Sequence, residues 1–90
     1  MAVLIRTTTR KSQFEVSRRL LKDRYGDKYG SRVSPFRTVM IKFCRAHVGM
    51  DPIECAVEFV NHLQARGKWS AHVQACVYAA TLDAMDEGVI

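Results

Sequence analysis

Lys11, Arg18, Arg19 and Lys22 lie within "KSQFEVSRRLLK" (residues 11–22), on what would be the polar side of a helix. Cations held together on one surface suit one chemistry above all. They neutralise phosphate oxygens and release the counterions condensed on a nucleic acid. Lys28 and Arg32 extend the set through "GDKYGSRVS" (26–34), and Arg37, Lys42 and Arg45 carry it into "SPFRTVMIKFCRAHV" (34–48). These nine residues are the candidate nucleic-acid contacts. Residues 1–48 hold twelve Lys or Arg against three Asp or Glu, a net +9, whereas residues 49–90 hold two against six, a net −4. The chain as a whole carries +5. Such a charge suits nucleic acid first and an acidic protein second, and solubility alone does not require its segregation. Tyr25 and Tyr29 lie among the cations and could stack on exposed bases. The same rings would serve equally as a core residue and a loop anchor.

Each of the three cysteines shares a predicted helix with a histidine: Cys44 with His47, Cys55 with His62, Cys76 with His72. Spacings of i, i+3 and i, i+4 can present two zinc ligands on one side. An odd number of cysteines in helical patterns fits reduced, buried thiols of a cytoplasmic protein better. No metal or other cofactor is therefore expected. Nor is an enzyme expected. The chain has no Gly-rich phosphate loop, no local Ser/His/Asp signature, and no paired carboxylates in an apolar setting.

The elements that would position these residues are helices. The chain's 90 residues, 48% hydrophobic and 26% charged, suit a single globular domain. A first helix over about 12–25 would be capped by Ser12 with Glu15 closing a capping box, and stopped by Gly26. Its apolar half would be Phe14, Val16, Leu20, Leu21 and Tyr25. A polar loop would follow. The second helix, about 35–48, would take Ser34 as cap and Pro35 as its first residue. The third, about 52–66, has the strongest signals: Asp51, Pro52, Glu54 and the stop at Gly67. The fourth would start after Ser70 and run over about 71–87. It is apolar nearly all round, with Val73, Val77 and Ala80 on one side and Tyr78, Leu82 and Met85 on another. It must be central to the bundle or shared with a second copy of the chain. Asp83, Asp86 and Glu87 crowd its C-terminal end, the unfavourable end of the helix dipole.

"VLIRTTT" (3–9) has strand propensity and no evident partner strand, so residues 1–11 read as an extended arm. A ribbon-helix-helix dimer would use that arm with Arg6 and Thr8 in the major groove. No apolar run reaches the roughly 18 residues of a membrane span, and "MAVLI" is too short for a signal-peptide core. The expected architecture is an all-α, compact four-helix domain with a short N-terminal arm.

Residues 34–82 resemble the SAM-like core-binding domain of tyrosine recombinases (phage integrases). The resemblance rests on Ser34, Phe43, Gly49-Met50-Asp51-Pro52, Leu63 to Gly67, and Ser70-Ala71. It implies a DNA-binding helical module of phage or mobile-element type, with the second and fourth helices facing DNA. Arg37, Lys42 and Arg45 match that expectation on the second helix. The fourth departs from it, with no Lys or Arg between Ala71 and Glu87. The function expected is non-enzymatic binding of nucleic acid, DNA before RNA, through the basic N-terminal half. The alternative is a small adaptor or inhibitor of mobile-element origin that docks on a protein or nucleoprotein complex. Exposed charges contribute little to stability. Reversing Arg18 and Lys22 to Glu should therefore weaken phosphate binding and leave the fold almost untouched.

Overall fold

Asp51 and Ser70 do what their residue types predict. The Asp51 carboxylate accepts the Ile53 N–H at 2.8 Å, and the Ser70 hydroxyl accepts the Val73 N–H at 3.1 Å. Each satisfies an otherwise unpartnered donor of a first helical turn. In the structure, a computed structural model, α3 accordingly spans Pro52–Ala65 and α4 spans Ala71–Asp86. The backbone is described for residues 2–90 and the side chains for residues 11–90. Before them, α1 covers Ala2–Tyr25 and α2 covers Tyr29–Ala46, joined by a 3-10 turn at Gly26–Lys28. Gly26 takes φ +53, a left-handed conformation that suits a residue without Cβ and lets the chain change direction there.

The chain is all-α among the described residues, and its division differs from expectation. Residues 2–46 form one helical passage bent at Gly26, so three helical segments replace four helices separated by loops. Three sequence-based boundaries are corrected by this. The extended arm expected over 1–11 is helix from Ala2 onward; Met1 and the side chains of Arg6 and Thr8 lie outside the described residues. Ser12 lies inside α1 and caps nothing. Ser34 and Pro35 lie inside α2, which starts at Tyr29. The physical reason for the last is burial. Val33 is 2% exposed and Met40 fully buried, with Phe36 packed between the same clusters. Extending the helix back through Val33 to Tyr29 keeps that stripe continuous, against a penalty of about 3 kcal/mol for an interior proline.

The core is built around α4. Cys76, Val77, Ala79, Ala80, Thr81 and Ala84 are fully buried, and Tyr78 and Leu82 nearly so. One cluster joins Phe14, Met40, Ala56, Val60, Val77, Tyr78 and Leu82, drawing on every α-helix. Within it the Phe14 and Tyr78 rings stack at 3.9 Å between centroids, 8° from parallel. A second cluster sets Leu21 and Val33 against Cys76, Ala79 and Ala80. The small residues let α1 and α2 approach α4 closely. Buried Thr81 satisfies its hydroxyl by donating to the Val77 carbonyl at 2.8 Å. The α4 faces that could have met a second copy are thus covered within one chain. The radius of gyration, 12.7 Å, is that of a compact chain of this length.

Candidate functional site

The first residue to find its place is Arg18, and it is turned inward. On α1 the buried positions are Phe14 and Leu21, with Tyr25 half-buried, while Val16 and Leu20 are 51% and 61% exposed. At 100° per residue, Arg18 sits only about 40° from Phe14 and far from Leu20. The apolar face expected for the first helix is corrected accordingly: α1 buries only one edge of it. Arg18 reaches the end of α4, where its Nη1 donates to Asp83 Oδ1 at 3.1 Å and to Asp86 Oδ2 at 2.6 Å. The two carboxylates, Asp86 foremost, raise its pKa above the ordinary value. Asp83 also accepts a hydrogen bond from the Tyr29 hydroxyl at 2.7 Å. Burial first, and then this carboxylate, hold the Tyr29 phenol well above its usual pKa of 10.0. Arg37 pairs with Glu87.

These contacts explain the carboxylates at the unfavourable end of α4. Guanidinium groups from α1 and α2 offset both their mutual repulsion and their conflict with the helix dipole. They also correct the view of Arg18 as a freely exposed charge. Its side chain and that of Asp83 are each 23% exposed, so reversing it to Glu would set three carboxylates together at a half-buried position. Part of the charge segregation is therefore internal: the basic half of the chain grips the acidic end of the other.

The other seven candidates, Lys11, Arg19, Lys22, Lys28, Arg32, Lys42 and Arg45, are exposed, and no carboxylate among the described residues forms an ion pair with them. The structure gathers some of these and separates others. Lys22, Lys28 and Arg32 surround the turn between α1 and α2. Lys22 Nζ lies 5.4 Å from the centroid of the Tyr29 ring, and Arg32 Cζ lies 5.3 Å from that of Tyr25. Arg24, absent from the sequence-derived set, approaches Tyr25 at 5.7 Å. Lys11 and Arg19 lie elsewhere on α1, and Lys42 and Arg45 on the C-terminal half of α2.

The tyrosines among these cations are committed. Tyr25 shares a hydrogen bond of 2.5 Å with His72 Nε2 at the start of α4, and its ring is flanked by Arg24 and Arg32. With Tyr29 tied to Asp83, both act as anchors between helices, the second of the two roles their positions allowed. A shallow cleft of about 340 Å³ between Ser12, Gln13, Val16 and Ser17 of α1 and Gln74 and Tyr78 of α4 has no charged lining and offers phosphate nothing.

The cysteines are inside or half inside. Cys55 and Cys76 are buried and Cys44 is half-buried, all as free thiols. Burial, reinforced by neighbouring Cys55, pushes the Cys44 thiol up to about 12, and burial alone raises Cys76. Of the Cys–His pairs, Cys76 and His72 come within 3.9 Å, while His47 Nδ1 is bound to the Phe43 carbonyl at 2.8 Å. No three His, Cys, Asp or Glu among the described residues are grouped to hold a metal ion. Among the described residues, no helix is long and apolar enough to cross a membrane.

Comparison with protein-family models, with curated proteins and with solved structures found no match to this chain.

Proposed function

We propose that the protein is a non-enzymatic nucleic-acid-binding module, and that its phosphate contacts centre on the turn joining α1 to α2. One observation carries the reading. After Arg18 and Arg37 have paired with α4, Lys22, Arg24, Lys28 and Arg32 still lie exposed around Gly26–Lys28, outnumbering the exposed Asp23 and Asp27 beside them. Stability gives no reason to collect four cations on one turn, since surface charges contribute little to it and like charges repel. Phosphate does give a reason, because each cation that neutralises one releases condensed counterions. Lys42 and Arg45, on the C-terminal half of α2, lie apart from this cluster. DNA is the partner implied by the resemblance to recombinase core-binding domains, and the reading does not depend on it.

The test is a titration of labelled nucleic acid at two salt concentrations. Reversing Lys22 and Lys28 to Glu should weaken binding to all sequences alike and lower the salt slope by about one unit per lost contact. Because neither residue is ion-paired, thermal stability should change little. Absence of salt-sensitive binding by the unaltered protein to any nucleic acid overturns the reading. Loss of a bound protein on the same reversal would favour the adaptor instead.

A further inference from the structure

The turn between α3 and α4 reads "ARGKWSAH" (65–72), and it holds the only two cations of the acidic half, Arg66 and Lys68, beside the only tryptophan of the chain. Trp69 is 43% exposed, the most open large aromatic among the described residues. Its indole is nevertheless fixed, because Nε1 donates to Gln74 Oε1 at 2.8 Å. No cation among the described residues covers its ring, unlike Tyr25 and Tyr29. Gln74 and His72 stand two residues apart, roughly 200° around the helix. Trp69 therefore leans on one flank of the first turn of α4, while His72, on the other, binds Tyr25 with Arg24 and Arg32 beside it. One helix diameter, about 10–12 Å with side chains, separates the two flanks.

An open, immobilised indole with Arg66 and Lys68 beside it in the chain is the composition of a stacking platform for unpaired bases. In a duplex, both faces of each base are already occupied by neighbours, so such a ring has little to stack on. We infer that the α3–α4 turn binds single-stranded nucleic acid, with the strand continuing round the start of α4 toward the α1–α2 turn. Trp69 stacks on one base, Arg66 and Lys68 hold the phosphates beside it, and Arg24 and Arg32, across α4, hold phosphates further along the strand. This rests on the phosphate-binding reading above and adds to it the strand form and the residue that recognises it.

A single tryptophan makes the site its own reporter. Oligo-dT and oligo-U of about 15 nucleotides, a length that fills a typical single-strand site, are titrated while Trp69 emission is recorded. A labelled duplex of equal length is followed by anisotropy. Either single strand should quench the emission, the midpoint of each titration giving its affinity, and the duplex should bind more weakly. Followed by anisotropy of labelled strands, because both variants lack the tryptophan, Trp69→Ala should weaken single-strand binding by about tenfold and Trp69→Phe by less, since a phenyl ring still stacks. Circular dichroism checks that both variants fold. Salt-sensitive binding with unchanged Trp69 emission, or equal affinity for strand and duplex, overturns this inference and leaves the phosphate-binding reading standing. No binding to any nucleic acid overturns both.

Discussion

Arg18 shows how one residue can carry the same charge and have opposite meanings. On a helical wheel it belongs to a basic stripe; in the fold it joins α1 to Asp83 and Asp86 of α4. Removing it leaves Asp83 half-buried with only Tyr29 for company. Arg18→Ala should cost about 1–3 kcal/mol in urea denaturation, between the values for exposed and fully buried pairs, whereas Arg19→Ala should cost under about 0.5. Equal effects of the two changes would refute the inward placement. The protonated groups make a second prediction. Tyr29, Cys44 and Cys76 all have pKa values raised in the fold, so above the ordinary thiol value of 9.0 the folded chain binds more protons than the unfolded one. Their stabilisation is complete below about pH 9 and is lost as the pH rises through the raised values. Chemical denaturation from pH 8 to about 11 should show stability falling across that range. Tyr29→Phe should lower stability at pH 8, through loss of the Asp83 hydrogen bond, and make the decline shallower above pH 10.

Among the elements, α1 and α2 depart from their sequence signals while α3 and α4 follow them. Local capping decides a boundary when nothing else competes, as at Asp51 and Ser70. At Ser34 and Pro35 the burial of Val33 competes and prevails, so a sequence that looks like a helix start continues a helix already begun. The register of α1 follows the same logic. Leu20 and Leu21 are neighbours with identical side chains, yet one is 61% exposed and the other 3%. Leu21→Ala should therefore destabilise by about 2–5 kcal/mol and Leu20→Ala by under about 1, measured by urea denaturation. Comparable losses would mean that the rotation of α1 described above is wrong.

For the molecule as a whole, the apolar circumference of α4 is accounted for by its place at the centre rather than by a second copy. Ala79 and Ala80 are fully buried where α1 and α2 approach. Ala80→Leu should overpack this contact and lower the melting temperature, by an amount corresponding to about 1–3 kcal/mol. If stability were unchanged and only self-association measured by light scattering were lost, α4 would be a surface shared between copies. The charge split operates at the same scale. Two cations of the basic half and the three carboxylates ending α4 hold the helices together, and the other cations among residues 11–48 are exposed.

The helical class, the caps of α3 and α4, and the need for α4 to be either central or shared with a second copy were legible in the sequence. Each is set by neighbours within a few residues or by composition around one helix, where local propensity and periodicity suffice. Which edge of α1 is buried, where α2 begins, and which cations are spent on carboxylates were not. Arg18 and Asp83 are 65 residues apart in the chain, and no local rule brings them together. Trp69 carried no periodic signal at all; its openness beside Lys68 and across α4 from Tyr25 exists only once α1 and α4 have packed. The sequence by itself determined that helices would form and that positive charge would be plentiful. The tertiary structure decided which of those charges are left for a partner, because ion pairing between distant residues depends on how the helices dock.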